Sequence, residues 1–190
     1  MKNKINIGAG RDIKDGYINH DIKLLRGIDL AHDLNSYPWP WDSQSADLIE
    51  AFDLLEHLDD FILAMEEIHR ILKPDGFLHL KVPYWNSVFR HIDPTHKRGF
   101  HEATFKFFDP SSDLCKLRPY YTFARFRILE QKFILIPFSP YLKLPFISKI
   151  IIRSKFMQRL VGFLGNILSN IILDLELYLQ KLPADNQSDL

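Results

Sequence analysis

The sequence predicts an α/β protein: a mostly parallel sheet with an antiparallel C-terminal edge, a lid inserted over the sheet and a helical C-terminal tail. Three observations carry that prediction. The chain opens on an apolar strand, KINI, that runs straight into Gly8-Ala9-Gly10, a backbone able to turn sharply with no Cβ in the way. Two strand-like runs, ADLIEAF and FLHLKV, bracket a stretch whose Phe61, Met65, Ile68, Ile71 and Leu72 recur at helical spacing. Past Asn86 the clean period disappears, and beyond Pro140 the composition becomes basic and aliphatic.

Taken in order, Tyr17-Ile18-Asn19 forms a second short strand that ends on Asp21, a carboxylate beside the glycine turn. That is where nucleoside-binding α/β folds hold ribose hydroxyls. Only RDIKDG separates the two strands, whereas a parallel crossover takes about a dozen residues, so one turn of helix is expected there. Asp29 to Leu34 reads as a third strand ending near Asp33, and PWPW, from Pro38 to Trp41, breaks regular structure. Ala46 to Phe52 is a buried strand, with Asp53 and Leu54 at its carboxyl end, the ligand-binding edge of an open sheet. Asp59 is expected to cap the following helix and Lys73-Pro74-Asp75-Gly76 to end it. Phe77 to Val82 makes a fifth strand, and two more, near Tyr121 to Leu129 and Lys132 to Pro137, complete the sheet. The expected division is a first domain over 1–140, with the lid at about 84–118, and a helical extension over 141–190.

Lys plus Arg balance Asp plus Glu at 24 each, which argues against a generally basic nucleic-acid surface, and no nucleic-acid partner is expected. Cys115 is the single cysteine, consistent with a reducing compartment. MKNKINIGAG reads as a strand and not as a signal peptide, so the cytoplasm is the expected location, with membrane association as a further option. Leu160 to Leu173 carries no charge but falls short of the roughly 20 apolar residues that span a bilayer. Basic residues such as Lys149, Arg153, Lys155 and Arg159 precede it, so peripheral membrane contact and a homodimer contact are both open. The tail ADNQSDL is expected to fray.

KINIGAG and GYINHD, together with PWPWDSQSADLIEAFDLLEHL and HRILKPDGFLHLKVPYW, resemble the class I methyltransferases that use S-adenosylmethionine, and more narrowly the type 11 methyltransferases. The resemblance implies a Rossmann-like sheet, S-adenosylmethionine as cofactor, and methyl transfer to a small-molecule, sugar or lipid-linked acceptor. It places the cofactor on Gly8, Ala9, Gly10 and Asp21, its adenine by Asp33 and Leu34, and its methionine end near Asp53 and Leu54. A base for the acceptor is sought in the lid, where His96 is the first choice and His91 and Asp93 follow. Lys97 and Arg98 suit an anionic group on the acceptor.

Two other enzyme readings and one non-enzymatic reading compete. A nicotinamide oxidoreductase fits poorly, because Ile13 stands where the third glycine of GxGxxG would fall. A metal-dependent hydrolase built on His91, Asp93, His96, His101 and Glu102 leaves the glycine turn unexplained, and those spacings match no known ligand motif. No metal is therefore expected. A degenerate nucleoside-binding module held at a membrane surface shares the fold without the chemistry.

Overall fold

The computed structural model describes residues 3–135 and 149–183. Its strands are β1 (Lys4–Ile7), β2 (Ile18–Asp21), β3 (Leu30–Ala31), β4 (Ala46–Phe52), β5 (Leu72–Pro83), β6 (Phe126–Leu135), β7 (Ile150–Ile152) and β8 (Asp174–Lys181). Its helices are α1 (Phe61–Ile71), α2 (Val88–Ile92), α3 (Asp113–Leu117) and α4 (Lys155–Ile167). All the strands join one sheet in the order β3-β2-β1-β4-β5-β8-β6-β7. The first five are parallel to their neighbours, while β8 runs antiparallel to both β5 and β6, and β7 antiparallel to β6. The parallel sheet with an antiparallel C-terminal edge is thus present. The carboxyl ends of β1, β2 and β4 share one edge, which gathers the sequence's glycine turn and acidic residues there.

Successive strand residues face opposite sides of a sheet. Ile49, Ala51, Leu78, Leu80, Leu175 and Leu177 are all buried, and they share a core with Ala64, Met65 and Ile68 of α1. Their strand neighbours Glu50, His79 and Glu176 form a polar chain, in which His79 bridges Glu50 at 3.4 Å and Glu176 at 3.0 Å. Lys14 closes one end of the chain on Glu50 and Lys132 the other on Glu176. Burial alone would raise the Glu50 carboxyl, but His79 and Lys14 hold it down at about 2.

Several elements differ from the sequence expectation for identifiable reasons. RDIKDG forms turns and no helix. Two side-chain amides satisfy the backbone instead: Asn6 donates to Asp12 O and to Asn19 Oδ1, and Asn19 accepts from Lys14 N. Asp60, not Asp59, caps α1, its carboxylate accepting from Leu63 N at 2.9 Å. The two strands expected near residues 121–137 are one strand, β6, with an irregularity between Ile128 and Glu130; Ile136 and Pro137 lie outside the described residues. Among the described residues, the helical extension expected over 141–190 is helical only in α4, and DLELYLQK enters the sheet between β5 and β6. Its strict alternation buries Leu175, Leu177 and Leu179 on one face. The sheet therefore draws on residues either side of 140. Residues 184–190, expected to fray, lie outside the described residues.

His69 ties α1 to the end of β8, donating from Nε2 to Leu182 O at 2.8 Å, edge-on to Phe126. Burial pulls its pKa from 6.5 down to about 4. Over that interval the unfolded chain takes up a proton that the folded chain refuses, so stability is full above about pH 6.5 and is lost as pH falls through about 4. The expected loss is about 2–3 kcal/mol. His69→Gln should flatten this slope in urea denaturation at pH 7 and pH 4, and an unchanged slope would show that His69 is not its source.

Candidate active site

The donor side of the site begins where β1 ends. Gly8 and Gly10 sit at φ of +68° and +54°, the left-handed region that glycine enters without steric cost. The turn is laced to the tip of β2, with Ala9 N donating to His20 O and Gly10 N to Asp21 Oδ2, both at 2.8 Å. A Cβ on Gly8 would lie 2.9 Å from Leu54 Cδ1, whereas one on Gly10 would meet nothing within 4 Å. The turn is therefore packed on its Leu54 side and open at Gly10. Asp33 lies exposed beyond β3, its Oδ1 accepting from Asn35 N at 2.9 Å. Leu34 is buried in the core, its carbonyl accepting from the Trp39 indole at 2.9 Å, so little of its side chain is left to face a ligand.

Asp53 follows β4 with φ of +52°, an uncommon conformation for a residue with a side chain. It is fixed there from two directions: its N–H donates to Lys81 O at 2.9 Å, and its carboxylate pairs with Lys81 Nζ at 2.6 Å. Beside this pair lies a cavity of about 370 Å³ lined by Asp53, Glu56, Lys81, Asp93, His96 and Asp174. Phe89 and Ile92 of α2 give it an apolar side. Gly8, Asp21 and Asp33 do not line it.

The electrostatics of the cavity are dominated by burial. Asp174 is pushed up to about 6 by burial and then by the Asp53 charge. Glu56 is wholly buried and burial pushes it up to about 8. Neither of its carboxylate oxygens has a hydrogen-bond partner, and His96 Nδ1 is likewise buried and unpartnered. His96 Nε2 lies 3.8 Å from Glu56 Oε1. The His57 ring stands 4.6 Å from the His96 ring, and burial, then His96, lowers its pKa.

Of the lid residues, His96 and Asp93 thus meet Asp53 at one cavity. His91 does not: it is exposed against the Arg90 guanidinium and lines a different depression with Trp85 and Asn170. Lys97 and Arg98 are both engaged with the loop after the Leu55–His57 turn. Lys97 pairs with Asp59, and Arg98 donates to the carbonyls of Leu58 and Asp59. His101 and Glu102 belong with Tyr84, whose hydroxyl donates to Glu102 at 2.8 Å. The five-residue hydrolase cluster is therefore dispersed. Much of the lid is core, since Phe100, Phe105 and Phe108 are buried edge-on to Phe61. Glu56 is not among the site residues the sequence singles out, because its place in the site is set by burial and by the approach of His96 from the lid.

Residues 10–80 match the family model described as a methyltransferase domain. That match spans less than half of the chain, and over it the chain is similar to methyltransferase domains. Among solved structures the chain is similar to a SAM-dependent methyltransferase from Archaeoglobus fulgidus, at 19% identity and TM-score 0.59, covering 95% of this chain and 86% of that one. It is also similar to a SAM-dependent methyltransferase from Thermotoga maritima described as a possible histamine N-methyltransferase, at 15% identity and TM-score 0.61, covering 96% and 83%. The YcgJ protein of Bacillus subtilis matches at 13% identity and TM-score 0.56, covering 97% and 93%. These likenesses are of fold. No curated protein matches the sequence. The Archaeoglobus and Thermotoga proteins are described as SAM-dependent, that is, as using S-adenosylmethionine. The Gly8 turn of this chain would fit that cofactor: it is open at Gly10, and a carboxylate stands at the tip of β2 beside it.

Proposed function

We propose that the domain transfers the sulfonium methyl of S-adenosylmethionine to a small acceptor held in the 370 Å³ cavity. The observation that supports this most is the junction at Asp53-Leu54. Leu54 packs on Gly8 while Asp53, its neighbour in the chain, lines the cavity. Donor turn and acceptor cavity are thereby adjoining parts of one sheet edge, where open α/β sheets bind ligands.

In this reading the open side of Gly8-Ala9-Gly10 takes the donor against main chain. Asp21 uses Oδ2 on Gly10 N and offers its other oxygen to a ribose hydroxyl, and exposed Asp33 faces the adenine. Asp53 and Leu54 adjoin the methionine end. When bound, the donor supplies an activated methyl on positively charged sulfur. The chain's own work is to align the acceptor and keep water out, with Phe89 and Ile92 closing the apolar side. His96 and Glu56 are the groups placed to handle the acceptor's proton. Incubating the full chain with methyl-labelled donor and fractionated lysate should yield one labelled small molecule; donor binding without any labelled product would contradict methyl transfer.

Asp21→Ala should weaken donor affinity by about 1–3 kcal/mol, because a charged hydrogen bond to ribose and the brace on Gly10 are lost together. Calorimetry with S-adenosylhomocysteine checks this, and an unchanged affinity removes Asp21 from the ribose.

No helix among the described residues is long and apolar enough to cross a membrane. α4 nevertheless exposes Phe156, Leu160, Phe163 and Ile167 beside Lys155 and Arg159, a pattern suited to lying on anionic lipid. The chain should float with anionic phospholipid vesicles, and Phe156→Ser with Phe163→Ser should abolish flotation. A dimer in solution that does not float would assign the face to a second copy instead.

A further inference from the structure

Glu56, His57 and His96 lie far apart in sequence or turn away from one another in a regular helix, yet here one ligand-capable atom from each falls within 4.8 Å of the others. Three features of this group stand out. Glu56 is wholly buried, and neither of its oxygens is given a hydrogen bond. A carboxyl group in that state takes up a proton, and it stays ionised only where a positive charge compensates it. His96 is also nearly buried, with Nδ1 unpartnered. His57, by contrast, has one nitrogen fixed. The Thr95 hydroxyl donates to Asp93 Oδ1 at 2.6 Å and lies 2.8 Å from His57 Nδ1. With its proton committed to Asp93, that hydroxyl accepts from His57 Nδ1, leaving the Nε2 lone pair free. A carboxylate acting on an imidazole to fix the tautomer is how proteins orient histidine ligands to metals.

We propose that Glu56, His57 and His96 bind a divalent cation of the zinc class at the wall of the acceptor cavity. Two imidazoles and one carboxylate suit zinc and its first-row neighbours better than magnesium, and three protein ligands leave a coordination position open. Glu56 and His96 both bound the cavity, so that position faces the acceptor. The use of the cation rests on the methyl-transfer reading, and it points to an acceptor that coordinates through oxygen. With Glu56 and His96 held as ligands, the acceptor's O–H proton passes to the Asp174 carboxylate at the same cavity, the freed oxygen pair forms the O–CH3 bond, and the C–S pair stays on sulfur. The cation is neither oxidised nor reduced.

The test is calorimetric titration of the chelator-stripped full chain with zinc chloride and, separately, with S-adenosylhomocysteine. One zinc per chain is expected, with magnesium binding far weaker. Glu56→Gln and His96→Asn should each lower zinc affinity at least about tenfold. Thr95→Val, an exposed change that leaves the ligands in place, should lower it about 10- to 100-fold. Stoichiometric zinc binding lost in these variants, with S-adenosylhomocysteine still bound, supports the site. No stoichiometric binding in the parent chain, or binding unchanged in Glu56→Gln and His96→Asn, overturns it and leaves the methyl-transfer reading standing. Zinc bound without any affinity for S-adenosylhomocysteine supports the cation site and removes the methyl-transfer reading.

Discussion

His96→Ala should lower turnover about 10²- to 10⁴-fold while leaving donor affinity within about twofold. The ring borders the cavity beside Glu56 and Asp93 but is not among the groups placed on the donor: Gly8 packs against Leu54, and Gly10 is braced by Asp21. Loss of the imidazole removes either a proton acceptor or a ligand to the proposed cation, and both act on the acceptor alone. Donor calorimetry and a methyl-transfer assay on the same preparation separate the two effects. Normal turnover would take His96 off the acceptor side, and a matching fall in donor affinity would mean that the cavity and the Gly8 turn are not separate subsites.

Arg70→Ala should destabilise the fold by about 2–4 kcal/mol. Its guanidinium grips Glu67 through Nε and Nη2, both at 2.7 Å, and donates to the carbonyls of Trp41 at 2.8 Å and Trp39 at 3.1 Å. Glu67 in turn accepts from Trp39 N at 2.7 Å. One residue of α1 thereby pins the PWPW segment, whose tryptophans are buried in the core. Without Arg70 the buried Glu67 carboxylate keeps only part of its compensation, and two carbonyls lose their donor. Urea denaturation at pH 7 measures the effect. A change under about 0.5 kcal/mol, the scale of an ordinary surface substitution, would show that solvent replaces the arginine freely.

Legibility in the sequence tracked the regularity of local patterns. α1 is readable because Phe61, Met65, Ile68 and Ile71 repeat at helical spacing, and β1 and β4 because their apolar runs end at turn residues. The Gly8 turn and Asp21 were readable because a backbone bend and a strand-end acid are local features. β8 was missed although LDLELYLQ alternates without a break; it follows a charge-free apolar stretch, and the two together read as one helix. The lid gave no period because its phenylalanines enter the core through short helical turns against Phe61, a contact set by tertiary packing. Glu56 was invisible for a similar reason. Its significance depends on burial and on His96 approaching from the lid, and neither is written in the residues around it.

The most direct measurement is titration of the purified chain with S-adenosylmethionine, followed by S-adenosylhomocysteine and by NAD. Saturable one-to-one binding of the two adenosyl compounds, in competition with each other and strongly weakened by Asp21→Ala, with no response to NAD, is the predicted result. Silence toward both adenosyl compounds, or equal affinity in the Asp21→Ala chain, contradicts the placement of the donor at the Gly8 turn.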